Sequence, residues 1–238
     1  MEYAKAIKKF DGKVPEGLID VIIGGREQGE QLVNDARVPL ISATGSTAMG
    51  RIVGPKVAQR FGRSILELGG NNAIIVTPSA DLEMAVRGIV FGAVGTCGQR
   101  CTTTRRLIVH ESVYDQLISR LKEAYDRVAM GSPLEDDILV GPLIDKDAFD
   151  AMQQALRSAR SEGGQVFGGD RVVFEGWDTA YYVKPALVEM SVQTDAVKHE
   201  TFAPILYVFK YTDYAEAIAI HNDVPQGLSS AIFTTNLL

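Results

Sequence analysis

Apolar positions along this chain alternate between two periods. Short β-branched or apolar runs lie at residues 18–23 (LIDVII), 38–42, 64–68, 73–76, 106–110, 166–167, 182–188, 205–210 and 230–233, most of them bounded by glycine or other turn residues. Runs of this length and composition predict strands. Between them lie helical patterns: 27–34, about 47–61, about 82–93, 112–130, 145–162 and 213–221. The pattern over 112–130 is amphipathic, with Val113, Leu117, Leu121, Tyr125 and Val128 at helical spacing. Residues 1–10 also read as a helix. Asp81 is placed to cap the 82–93 helix, and Gly163-Gly164 stops the 145–162 helix. Such strand–helix alternation predicts an α/β fold with a largely parallel sheet. No internal repeat or low-complexity linker interrupts it.

Composition narrows the partners. The 238 residues carry 24 Lys+Arg against 30 Asp+Glu, a formal charge of −6. An acidic balance argues against nucleic acid or an anionic membrane as the main partner. No window approaches the ~18 consecutive apolar residues of a spanning helix, and the first residues lack the apolar core of a signal peptide. Two cysteines, Cys97 and Cys101, are too few for a disulfide scaffold. His110, His199 and His221 show no metal spacing, so no metal is expected. The expectation is a reduced, cytoplasmic protein.

Three segments carry candidate chemistry. In Thr44-Gly45-Ser46-Thr47 a strand ends, the chain turns at glycine and a helix begins. Free N–H groups there favour a phosphate, although on local pattern alone Ser46 or Thr47 as a simple helix cap is the better reading. It is not the GxGxxG fingerprint of an ordinary dinucleotide fold. In Gly95-Thr96-Cys97-Gly98-Gln99-Arg100-Cys101-Thr102-Thr103-Thr104, Arg100, Arg105 and Arg106 stand close to the cysteines, and positive neighbours favour a thiolate. Cys97 reads as a small core residue; for Cys101 a reactive thiol and a packed one are even on local grounds. In Leu66-Glu67-Leu68-Gly69-Gly70-Asn71-Asn72 a single carboxylate sits between leucines. Apolar flanks suit a general base, while a surface glutamate is the plain alternative.

Taken in order, Thr44-Gly45-Ser46, Glu67-Leu68-Gly69-Gly70, Gly98-Gln99-Arg100-Cys101 and Glu200-Thr201-Phe202-Ala203-Pro204 resemble the aldehyde dehydrogenase superfamily. The spacing of 34 residues from Glu67 to Cys101 fits it. The 61–72 segment, the 98–107 segment and the run ETFAPILY at 200–207 look like its antiquitin-like branch, the α-aminoadipic semialdehyde dehydrogenases. Ala203 departs from the Phe-Gly-Pro of the wider superfamily and suits that branch.

The resemblance implies the remaining expectations. The fold is part of a Rossmann-type NAD-binding domain over residues 1–68, followed by part of an α/β catalytic domain over 69–238. Cys101 is the nucleophile and its backbone N–H part of the oxyanion hole; Glu67 activates the hydrolytic water. Gly29, Glu30, Gly45, Ser46, Leu68, Glu200 and Phe202 face an NAD cofactor, with Glu200 on the nicotinamide ribose. Arg100 binds a carboxylate distal to the aldehyde, and Thr102 joins that pocket. The implied reaction is NAD-dependent oxidation of an aldehyde to an acid, with α-aminoadipic semialdehyde (in equilibrium with piperideine-6-carboxylate) as the substrate, a step of lysine catabolism.

A cysteine-dependent ester or thioester hydrolase and a non-catalytic remnant are the competing classes. Family members are about twice this length and homo-oligomeric. The chain therefore reads as a central fragment, expected to expose sheet edges and apolar faces and to be poorly soluble or inactive alone.

Overall fold

The computed structural model describes residues 15 and 17–236. The helix read at residues 1–10 lies outside them. The chain divides into two compact units, residues 1–67 and 68–238.

In the first unit, helix α1 (Arg26–Asn34) precedes strand β1 (Leu40–Thr44), helix α2 (Thr47–Gln59) and strand β2 (Arg63–Glu67). β1 and β2 pair in parallel from Leu40↔Arg63 to Thr44↔Glu67. A small core of Val33, Val53 and Val57 joins α1 to α2, with Ile41, Met49 and Leu66 packed on it. Two expectations fail here. Residues 18–23 form no strand, and Val21, Ile22 and Ile23 are exposed. A strand exists only where a neighbour completes its ladder, and among the described residues β1 and β2 pair only with each other. Helix α2 stops at Gln59 rather than at 61; Phe61 then takes a left-handed φ of 59° and turns the chain into β2.

The second unit is built on one six-stranded sheet. It contains β3 (Asn72–Val76), β4 (Thr104–His110), β5 (Gln165–Phe167), β8 (Ala186–Glu189), β9 (Ile205–Tyr211) and β10 (Ser230–Phe233). Their spatial order is β10-β3-β4-β9-β8-β5, parallel throughout except for the β5–β8 pair. β3 is wholly buried and β4 nearly so, as befits central strands of a parallel sheet covered on both faces. Helices α3 (Leu82–Val94), α4 (Glu111–Asp126), α5 (Lys146–Ser161), α6 (Asp195–Lys198) and α7 (Tyr214–Asn222) complete the unit.

Asp81 caps α3 through the N–H groups of Glu83 and Met84. His110 caps α4, its Nδ1 accepting from Ser112 N–H, so the helix begins at Glu111; it ends at Asp126, four residues short of its predicted limit, where Arg127 N–H turns back to Ala124 O. The strand predicted at 182–188 is broken at Lys184-Pro185, because proline has no N–H to give a ladder. Its first part becomes β7 (Tyr182–Val183), paired antiparallel with β6 (Arg171–Val172), a strand the apolar pattern does not reveal.

Candidate active site

Sheet topology gathers the catalytic candidates of the second unit. β10, β3, β4 and β9 run parallel in matched register, with Ser230↔Ala73, Asn72↔Thr104 and Arg106↔Tyr207 as partners. The segments that enter these strands therefore meet at one end of the sheet. They are residues 226–229, 69–71, 98–103 and 199–204. Segments far apart in sequence thus bring Gly69-Gly70, Cys101 and Glu200 together.

The cysteine loop leaves α3 through a single 3-10 turn, Gly95–Gly98. Thr96, Cys97 and Gly98 are consecutive left-handed residues, with φ of 53°, 55° and 64°. Left-handed backbone at each non-glycine residue costs on the order of 1–2 kcal/mol, so the surrounding bonds must hold it. At Gly98 a Cβ would lie 2.5 Å from the Ala203 carbonyl carbon and oxygen, which excludes any side chain at that crossing. Cys97 is buried, and burial pushes its thiol up to about 12. It is a core residue, as its context predicts. Cys101 is half-buried and free.

Both peptide groups around Cys101 are fixed. The carbonyl of Arg100 accepts from Thr103 N–H at 3.1 Å and from Arg105 Nη2 at 3.2 Å. The carbonyl of Cys101 accepts from Asn72 Nδ2 at 2.8 Å. Asn72 also donates to Thr103 O at 2.8 Å, and its Oδ1 accepts from the N–H groups of Leu228 and Ser229. One side chain thus ties the turn after Gly70, the cysteine loop and the entry to β10. Gln99 secures the other flank, accepting from Ile144 N–H and donating to Pro142 O. Among the described residues no acceptor takes the Cys101 N–H.

Two arginines lie beneath the loop. Arg105 is 3% exposed and Arg106 is 1% exposed. Burial lowers the basicity of both, Arg106 to about 10. Arg106 donates to carbonyls of Asn71, Ile220 and His221 and to Gln193 Oε1. Arg105 donates to Gly70 O, Gly98 O, Thr201 O, Arg100 O and Glu200 Oε1. Sequence reasoning treated these two only as nearby positive charge. Two adjacent arginines inside an otherwise apolar strand were the available signal, since unpaired charge is rarely buried.

Glu200 is partly buried, and its Oε1 also accepts from Gly70 N–H at 3.2 Å. A Cβ on Gly69 would come within 1.8 Å of Glu200 Oε2, so any side chain there would push this carboxylate from its place. Phe202 is exposed, its ring 5.3 Å from the Arg105 guanidinium carbon. Arg100 is exposed and lies over the ring of Phe91 at 5.5 Å, a support the sequence does not announce. Thr102 is exposed, its carbonyl accepting from Ser229 Oγ. Leu68 is half-buried at the start of the unit.

In the first unit a cavity of about 790 Å³ opens between α1, β1 and α2. That volume lies within the range of small-molecule sites. Gly29, Glu30 and Ser46 line it, with Val33, Met49 and Lys56. Arg26, through a 3.0 Å bond, and nearby Lys56 hold the Glu30 carboxyl below its ordinary value. Ser46 Oγ accepts from Met49 N–H at 3.1 Å, so it caps α2 and lines the cavity at once. Gly45 lies beside the cavity wall and its N–H bonds the Glu67 carbonyl at 3.0 Å. The Glu67 side chain ends β2 exposed to solvent, not in the apolar surroundings that Leu66 and Leu68 suggested. Alternation in a strand sends neighbours to the opposite face, so flanking leucines do not surround it.

Among the described residues no group of three or more His, Cys, Asp or Glu could hold a metal. Among them, too, no helix is long and apolar enough to cross a membrane.

Comparison with known proteins agrees with this geometry. The aldehyde dehydrogenase family profile matches residues 1–238. The chain is 47% identical over 222 residues to aldehyde dehydrogenase family 7 member A1 of Pisum sativum, covering 93% of this chain and 43% of that protein. It is 46% identical over 228 residues to the α-aminoadipic semialdehyde dehydrogenase of Bos taurus, covering 95% and 42%. The chain thus spans less than half the length of these relatives. Among solved structures, lactaldehyde dehydrogenase from Escherichia coli superposes with a TM-score of 0.91 at 37% identity, over 99% of this chain and 49% of that one. A putative aldehyde dehydrogenase from Burkholderia cenocepacia gives 0.93 at 30% identity, over 99% and 49%. On sequence and fold alike, this chain belongs to the aldehyde dehydrogenase family.

Proposed function

We propose that this chain carries the nucleophile and base of an enzyme that oxidises an aldehyde to a carboxylic acid. The observation that supports it best is the state of Cys101: a half-buried free thiol, both flanking carbonyls anchored, and its own N–H left without an acceptor. An anchored loop with a free N–H is a preorganised donor for an oxyanion.

In this reading the Cys101 thiolate bonds to the aldehyde carbon, and the resulting oxyanion takes the Cys101 N–H. A nicotinamide dinucleotide held by Glu200, Leu68 and Phe202 would supply the acceptor for the hydride on this carbon. The oxygen–carbon double bond then re-forms as a Cys101 thioester. Glu67 takes a proton from water, which attacks the thioester; the carbon–sulfur bond breaks and the thiolate returns as the acid leaves. Covalent attachment divides one hard oxidation into two easier steps.

The cavity lined by Gly29, Glu30 and Ser46, with Gly45 and the α2 N-terminus beside it, fits the nucleotide end of such a cofactor. Glu200, Leu68 and Phe202 take its nicotinamide end. The cofactor proposed is NAD. The similarity to family 7 proteins and the exposed Arg100 guanidinium favour an aldehyde with a distal carboxylate, α-aminoadipic semialdehyde foremost, with Thr102 in the same pocket. A cytoplasmic setting and homo-oligomeric assembly complete the reading.

The test mixes the chain with NAD and aminoadipate semialdehyde and follows absorbance of the reduced cofactor. Cofactor reduction abolished by Cys101→Ala is the expected result; turnover surviving that change removes the nucleophile assignment. Arg100→Ala should weaken acidic aldehydes at least tenfold more than neutral ones. Ester hydrolysis without cofactor reduction would point instead to acyl chemistry alone.

A further inference from the structure

Arg105 contributes all five guanidinium N–H groups to this one end of the sheet. Nε bonds Gly70 O at 3.2 Å; Nη1 bonds Thr201 O at 2.7 Å and Gly98 O at 3.4 Å. Nη2 bonds Arg100 O at 3.2 Å and Glu200 Oε1 at 3.1 Å. Two of these contacts bear on reacting groups. The Arg100 carbonyl belongs to the peptide whose N–H is that of Cys101. The peptide is planar and trans, so holding its oxygen toward Arg105 turns the Cys101 N–H to the opposite side. The Glu200 carboxylate is held by one oxygen only. Oε1 takes Arg105 and Gly70 N–H, while Oε2 accepts no hydrogen bond among the described residues and is left to meet a ligand hydroxyl.

We infer that Arg105 is a positioning residue that sets two groups at once: the Cys101 N–H, through the Arg100 carbonyl, and Glu200 Oε2, through Oε1. It touches neither substrate nor cofactor. Its buried, rigid fork makes the aim of the nucleophile loop and that of the ribose-holding carboxylate depend on one side chain. Lysine at this place keeps the charge but lacks the planar five-donor geometry. The inference rests on the reading of Glu200 as a cofactor contact; its bearing on Cys101 does not.

The experiment uses the whole chain with Arg105→Lys, Glu200→Asp and the double variant. Calorimetry gives the dissociation constant of NAD, mass spectrometry the rate of Cys101 alkylation by iodoacetamide, and thermal unfolding checks that each variant is folded. Arg105→Lys should weaken NAD about tenfold and speed Cys101 alkylation at least threefold, as the half-buried thiol is released. Glu200→Asp should weaken NAD by a similar factor and leave alkylation unchanged, since the carbonyl contacts of Arg105 remain.

The double variant should bind NAD no worse than the weaker single, because both changes break one contact. A hundredfold loss in the double variant, or full NAD affinity in Arg105→Lys, overturns the link to Glu200. An unchanged alkylation rate in Arg105→Lys overturns the link to Cys101. If Arg105→Lys does not fold, Glu200→Asp decides: unchanged NAD affinity overturns the inference. Wild-type chain that binds no NAD removes the cofactor reading itself, while the alkylation comparison still judges Arg105.

Discussion

β2 and β4 are both short parallel strands that carry arginine before an apolar stretch, Ile65-Leu66 in one and Leu107-Ile108-Val109 in the other, yet they live in different surroundings. β2 has one neighbour, and Ile65 in it is 51% exposed. β4 lies between β3 and β9 beneath two layers of helix, and Leu107, Ile108 and Val109 are fully buried. Similar composition thus gives a lightly covered ladder in one unit and a core in the other. The difference is the number of partners, because a strand buries its faces only as far as other elements cover them. It also decides where charge can be built in. Arg105 and Arg106 are tolerated inside β4 because the segments around that sheet end supply an acceptor for every N–H: mostly backbone carbonyls, with the Glu200 carboxylate and the Gln193 side-chain oxygen.

The contrast is broken or sharpened by substitution. Leu107→Ala should destabilise the second unit by about 2–5 kcal/mol, the range for emptying a packed site. Ile65→Ala in β2 should lower stability by less than about 1 kcal/mol, because half its surface is already in water. Denaturant unfolding of the two variants measures both; equal losses would mean that β2 is as well covered as β4.

A second prediction uses the buried thiol of the same core. Cys97 keeps its proton up to about 12 in the folded chain, whereas an unfolded thiol loses it near ~8.5. Between those values the folded state binds more protons than the unfolded one, so this group makes stability fall as pH rises. Its contribution is constant below the unfolded value and declines above it by up to about 1.4 kcal/mol per pH unit. Cys97→Ala should remove that slope; the difference between the two unfolding curves from pH 8 to 11 isolates it from the tyrosines. An identical slope in both would sink the account.

The smallest effect concerns helix ends. Asp81→Ala removes an acceptor of two N–H groups at the start of α3 and should cost about 1 kcal/mol. The unfolding midpoint reads it.

By itself the sequence determined the strand–helix order, most element limits to within a few residues, the cap at Asp81 and the character of Cys97. These follow from local periodicity, capping chemistry and glycine placement, which neighbours along the chain dictate. Its local pattern also marked Ser46, while Gly29 and Glu30 came only with the family resemblance; all three line one cavity. Tertiary structure alone decided the rest. Residues 18–23 have the composition of a strand but no ladder to join, and 182–188 divides between two sheets at Pro185. The exposure of Glu67 depends on what covers β2, not on its flanking leucines. Asn72, Arg105 and Glu200 come together only because four parallel strands enter the sheet at one end. Their hydrogen bonds span up to 157 residues, and a contact of that range leaves no trace in any local window of the chain.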